Sequence, residues 1–297
     1  MLASLIRELI PARTSAQLSN ALKSLCNTPA LVSGANRGDL DAVQTARTSV
    51  LLSASQEYYS VSVKFHDHAS LIIPDYFTAL GYIFSMQPYG PLSMSERIRL
   101  LALYRPHFVQ SRAPTTVQLL WVNSPSDTRV VLGSSLAWLK PRSHFLMARA
   151  VREGILRELW HDALVNPTPM QTRFPNPVGS LFGTCWGDCA EAISLSAFRQ
   201  LVASGTSLRT LALNVAAMNA VDPLTGLSAC DSILARTDLS LHDLLNILAH
   251  ANAFRQMCHN CEHLRDTVGA DILDCARPEF WRGVGTFAEP GGILVHG

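Results

Sequence analysis

Charge is scarce in this chain. Only 16% of its 297 residues are Asp, Glu, Lys or Arg, against 48% hydrophobic residues, and the net charge is +1. That balance excludes a disordered, self-repelling polypeptide and removes the bulk positive field that grips nucleic acid without sequence preference. Lysine is nearly missing. Lys23, Lys64 and Lys140 are the only lysines among 24 basic residues, and the rest are arginines, suited to bidentate phosphate or carboxylate contacts. No apolar run is long enough to cross a membrane, because Asp75 interrupts the best candidate around residues 72–84. A disulfide framework is lacking too: seven cysteines in a long chain make an odd set, which fits free or metal-bound thiols in a reducing compartment, cytoplasmic or nuclear. The first residues, with Arg7, Arg13 and several serines, faintly resemble a mitochondrial transit peptide, but an amphipathic first helix is the plainer reading. The chain also lacks G-x-S-x-G, H-E-x-x-H and the phosphate-binding loop, which leaves those serine-hydrolase, zinc-protease and nucleoside-triphosphatase chemistries without their residues.

What is present divides the chain near residue 110. Residues 1–110 read as a mainly helical region, with apolar residues at helical spacing in Leu2–Leu9 and Leu18–Leu25, and further helices at 41–59 and 94–104. Residues 111–297 read as α/β. A hairpin is expected at 116–132, where β-prone TVQLLWV is followed by the turn residues of NSPSD and by RVVL. A helix follows at 145–164, with Leu146, Ala150, Ile155, Leu156 and Leu159 on its apolar side, then a proline-rich loop at 166–183. After residue 190 one helix is expected up to Gly205, then a strand at 208–215, a loop at 222–226 and a helix opened by Ser240 and Asp243.

The chemistry concentrates in residues 183–199, GTCWGDCAEAISLSAFR, and in Cys258-His259-Asn260-Cys261. Two residues apart in a regular helix point roughly 200° away from each other, so Cys189 and Glu191 share a site only if Cys189 precedes the helix. Gly187 and Asp188 put the helix start there. A helix N-terminus also stabilises thiolates. Three thiolates, Cys189, Cys258 and Cys261, with the carboxylate of Glu191 are enough for a catalytic zinc site that keeps one coordination position open. Other readings stand beside it. Asp188 and Glu191 have the spacing of a capping box. Cys185-x-x-x-Cys189 with the Cys-x-x-Cys pair, expected near the end of the helix after Ser240, could form a closed four-cysteine structural zinc centre. Trp186 could line a pocket and stack on a base, or simply pack. His66-Asp67-His68 lacks a partner at matching spacing, His161-Asp162 and His242-Asp243 are neighbours that do not face each other on a helix, and His259 and His263, flanking the cysteine pair, could be surface residues or a spare ligand.

Cys189-Ala190-Glu191, a helix, a strand, then Cys258-x-x-Cys261 resembles the zinc-dependent cytidine and nucleic-acid deaminase superfamily, closest to the fungal and bacterial-toxin-like branches with Cys-Ala-Glu. The resemblance covers about the second half of the chain. It implies a mixed five-stranded sheet flanked by helices, zinc held by Cys189, Cys258 and Cys261, and Glu191 moving protons between the attacking water and the leaving amino group. The implied substrate is a nucleobase, in a nucleoside, a nucleotide or a single-stranded nucleic acid. Met257 stands where the family usually has proline, and the connection from Ala216 to Met257 is long. The alternative is therefore a non-catalytic interaction protein, either with a structural zinc or with an inactive deaminase-like fold.

Overall fold

A computed structural model describes residues 61–65, 69–86, 89–104, 114–137, 142–159 and 187–281. The helices expected before residue 60, the proline-rich loop at 166–183 and the last residues lie outside these. The first described element is not helical. Strands β1 (Val61–Phe65) and β2 (Ala69–Ile73) form an antiparallel hairpin, with Val61 opposite Ile73 and Phe65 opposite Ala69. This hairpin is not expected from the mainly helical reading of residues 1–110, because ASLII looks like one continuous apolar run. Its period of two appears only on folding, where Leu71 and Ile73 are buried and Ile72 faces out.

Helix α1 (Tyr76–Ser85) starts at Asp75, whose side chain accepts from the backbone N–H of Thr78 at 3.0 Å. Helix α2 (Met94–Tyr104) starts at Ser93 and Glu96: the backbone N–H of Ser93 donates to Glu96 Oε2 at 2.7 Å, and the N–H of Glu96 to Ser93 Oγ at 3.3 Å.

The sheet behind them is mixed and five-stranded. Strand β3 (Thr116–Val122) pairs antiparallel with β4 (Val130–Ser134) on one side and with β5 (Leu208–Asn214) on the other. The far edge of β5 is shared. Strand β6 (Phe254–Arg255) runs antiparallel to Ala212 and Leu213, and β7 (Ile272–Asp274) runs parallel to Leu208–Thr210. The expected hairpin at 116–132 is thus present. β3 is buried along nearly its whole length because helices cover both faces of the sheet.

Helix α3 (Arg142–Leu159) buries Ile155 and Leu156 as expected, but Ala148 and Arg152 complete its inward face, while Leu146 and Ala150 are exposed. The single helix expected up to Gly205 is two. Helix α4 (Glu191–Ala197) is buried on every residue. Helix α5 (Arg199–Ala203) follows a break at Phe198 (φ −101°, ψ 19°) and buries only Val202. The break carries the chain from the core to the surface, where Arg199 and Gln200 are exposed. Strand β5 ends one residue early because the Asn214 side chain accepts from the N–H groups of Ala216 and Ala217, starting helix α6 (Val215–Asn219).

Helices α7 (Ala229–Ala235) and α8 (Leu241–His250) complete the long connection, and Ser240 with Asp243 forms the expected capping box. The Cys-x-x-Cys pair is not at the end of α8. Asn252 turns the chain with a positive φ of 52°, β6 intervenes, and Cys258 opens a new helix, α9 (His259–Val268). The chain then returns through β7 to helix α10 (Pro278–Trp281).

One core runs through all of this. Phe65, Tyr82, Ile98, Leu101 and Tyr104 from the first part join Leu119, Leu211, Leu244 and Leu264 from the second. Among the described residues no helix is long and apolar enough to cross a membrane.

Candidate metal centre

The turn before α4 is held in place from three sides. Gly187 adopts a positive φ of 85°, a conformation that L side chains resist, so glycine makes the turn without strain. The carbonyl of Asp188 accepts from the backbone N–H of Leu136 at 2.8 Å. Beneath the turn lies Gly133, where an added Cβ would sit 2.3 Å from the carbonyl oxygen of Ala190. The third side is Arg152, fully buried in α3. Its Nη1 donates to Ser134 O at 3.0 Å and to Gly187 O at 3.4 Å, and its Nη2 to Asp75 Oδ2 at 3.1 Å and Thr78 Oγ1 at 2.8 Å. This polar anchor escapes sequence reasoning; the available signal is Arg152 standing four residues after Ala148 and three before Ile155, on an otherwise apolar face.

Cys189 therefore precedes the helix, Ala190 occupies the cap position without a side-chain cap bond, and Glu191 is the first helical residue. Cys189 and Glu191 can consequently face one site. The capping-box reading of Asp188 and Glu191 does not hold, because the cap falls at Ala190; Asp188 Oδ1 instead lies 3.6 Å from Arg149 Nε.

The second half of the centre is built the same way. Cys258 is the cap residue of α9, and Cys261 lies one turn on. The approach is fastened by buried Asp274 at the end of β7, which accepts from the N–H of Met257 at 2.8 Å and of Ala276 at 2.9 Å.

The two halves meet. One ligand atom each from Cys189, Glu191, Cys258 and Cys261 lies within 4.8 Å of all the others. Cys189 Sγ is 3.1 Å from Cys261 Sγ, and Cys261 Sγ is 3.8 Å from Glu191 Oε2. Sulfurs on one tetrahedral zinc stand roughly 3.8 Å apart, so small side-chain rotations bring the set to a metal, and these four residues are close enough to bind one.

The electrostatics describe a cluster short of positive charge. Hydrogen bonds from Cys189 and Cys261 hold the Cys258 thiol well below its ordinary range. Sharing a hydrogen bond with that sulfur, together with burial, pushes Cys189 well above its ordinary range, and hydrogen bonds shared with Cys189 and then Cys258, together with burial, do the same for Cys261. Burial, then the neighbouring Cys258 charge, pushes Glu191 up to about 8. Metal binding here must displace protons, as thiolate sites do.

Of the other candidates, Cys185, Trp186, His66–His68, His161 and Asp162 lie outside the described residues. Asp243 is engaged in its cap and His263 is exposed.

No family model, curated protein or solved structure matches the chain.

Proposed function

We propose that this protein is a zinc-dependent hydrolytic deaminase acting on a nucleobase, free, in a nucleotide or in nucleic acid. The observation that carries the reading is the convergence of three cysteines and one buried glutamate, from two helix N-termini far apart in the chain, within 4.8 Å. Soft thiolate ligands suit zinc over magnesium or calcium. Zinc in such a set supplies Lewis acidity that brings the pKa of a water close to neutrality. Glu191 does the proton work. Burial raises its proton affinity, which suits a group that must accept and return a proton near neutral pH. It takes a proton from the attacking water, the resulting hydroxide adds to the amidine carbon, and Glu191 returns the proton to the nitrogen that leaves as ammonia. The mixed five-stranded sheet flanked by helices supports the same reading.

A closed structural metal site is the second reading. It is favoured by the 3.8 Å separation of Glu191 Oε2 and Cys261 Sγ, which leaves Glu191 near enough to be the fourth ligand. Glu191→Gln separates the two. In the deaminase it should keep zinc and fold while ammonia release, screened over nucleosides, nucleotides and single-stranded DNA and RNA, falls by about 10²–10⁴-fold. In the closed site the same change should weaken zinc itself. A wild-type deaminase activity surviving Glu191→Gln at near full rate would end the catalytic assignment.

A further inference from the structure

Away from the metal centre, two arginines converge on a pocket of about 440 Å³, lined among others by Ser93, Arg97, Trp121, Asn123, Ser124 and Arg209. The sheet register locates it. Trp121 and Arg209 are paired opposites on β3 and β5, so they share one face, while Gln118, which accepts from Ser194 of α4, points to the other. Arg209 also lies three residues before Ala212, about 10 Å along the strand, and it is Ala212 that pairs beside the Cys-x-x-Cys approach. The pocket is thus on the opposite sheet face from the metal centre.

Both guanidinium groups are laid on aromatic rings. Arg97 stands 4.8 Å from the Trp121 ring centroid and Arg209 5.6 Å from that of Phe280. Neither has an ion-pair partner among the described residues, and the Nε of each is shielded from solvent without a hydrogen-bond acceptor. The acids at hand are already occupied: Asp127, which itself lines the pocket, accepts from Arg129 through both oxygens, and Glu96 Oε2 accepts from Ser93. Burial and the neighbouring Arg209 charge hold Arg97 below its ordinary value. Two like charges on one pocket, with no described acid pairing either, call for an anion from outside.

We infer that this pocket binds the phosphate group of a small phosphomonoester such as a nucleotide. Two cations match a dianion, and a phosphomonoester carries close to two negative charges at neutral pH. The size is that of a small-molecule pocket. A polynucleotide is disfavoured by a net charge of only +1 over the chain. The inference does not depend on deamination.

The test is calorimetric titration of the zinc-loaded full chain with inorganic phosphate, ribose 5-phosphate, CMP, cytidine and a short single-stranded DNA. Ribose 5-phosphate carries no base, so its binding reports the pocket independently of the metal centre. Ribose 5-phosphate and CMP should bind through Arg209 and cytidine should not; phosphate binding alone would mark a site for the free ion and overturn the phosphomonoester assignment. Arg209→Gln should weaken ribose 5-phosphate by roughly tenfold or more, and Arg209→Lys, which keeps the charge but loses the planar fork, by less. Unchanged zinc content and unfolding temperature certify each variant, and Arg97→Lys with the same readout replaces any that unfolds. No binding of ribose 5-phosphate to wild type, or equal affinity in Arg209→Gln, overturns the inference. Arg209-dependent binding of DNA far tighter than CMP overturns it in favour of a nucleic-acid surface.

Discussion

Two buried polar clusters meet at the turn formed by residues 187–190, and they are completed differently. In one, the fully buried Arg152 and Asp75 face each other at 3.1 Å. Thr78 and the carbonyls of Ser134 and Gly187 take up most of the remaining donors, leaving only Arg152 Nε without a partner. In the other, three sulfurs and a carboxylate converge, and no described residue forms an ion pair with Glu191. Burying charge is tolerable only when it is compensated. The first cluster carries its compensation within the chain and so reads as structure. The second concentrates acidic groups that a cation would compensate, which is the property of a metal centre.

The comparison breaks first, and most severely, at the sulfurs. Zinc-supplied wild type purified under reducing conditions should carry about one zinc per chain. Cys258→Ser or Cys261→Ser should lose it, together with much of a binding free energy that is of order 10 kcal/mol in thiolate sites and counts as folding energy. Metal analysis beside thermal unfolding measures both, and a wild type that stays metal-free would remove the contrast between the clusters altogether.

The next effect belongs to the internal pair. Arg152→Ala strands the Asp75 carboxylate and should cost about 3–5 kcal/mol in chemical denaturation. The double variant Asp75→Asn with Arg152→Met should recover a good part of that, because neither charge is then left alone. A single variant as stable as wild type would mean that the pair does not hold the turn.

A smaller and more selective effect is expected from Gly133→Ala. Its Cβ would meet the Ala190 carbonyl, so the turn carrying Cys189 and Glu191 has to move. Overpacking of this kind costs about 1–3 kcal/mol. Zinc affinity should fall while the Arg152 and Asp75 pair persists. Unchanged affinity with a lowered unfolding temperature would show that the turn shifts without disturbing the ligands.

The elements read correctly from sequence are those whose signals are local. TVQLLWV and the turn residues after it specify a hairpin by propensity alone, and Ser240 with Asp243 specifies a helix start by reciprocal hydrogen bonds three residues apart. Gly205 and Gly226 mark turns because both adopt a positive φ. The errors lie where the deciding partner is distant. The inward face of α3 is completed by Arg152, which reaches Asp75 far earlier in the chain, so the apolar pattern places Ile155 and Leu156 correctly but turns Leu146 and Ala150 inward and misses Arg152. The strand character of residues 61–73 depends on pairing and on a core beneath Leu71 and Ile73. The separate helix of the Cys-x-x-Cys pair depends on β6 finding the edge of β5.

The candidate site divides along the same line. Sequence alone determined the residue types, the need for Cys189 to precede its helix, and the identity of the four groups, because spacing and helical geometry are properties of a few consecutive residues. Only the tertiary structure decided that Cys189 and Glu191 meet Cys258 and Cys261 within 4.8 Å, that Cys258 too opens a helix, and that Arg152 and Gly133 hold the Cys189 turn in place. Those are contacts between segments brought together by burial of a shared core, and no local rule contains them.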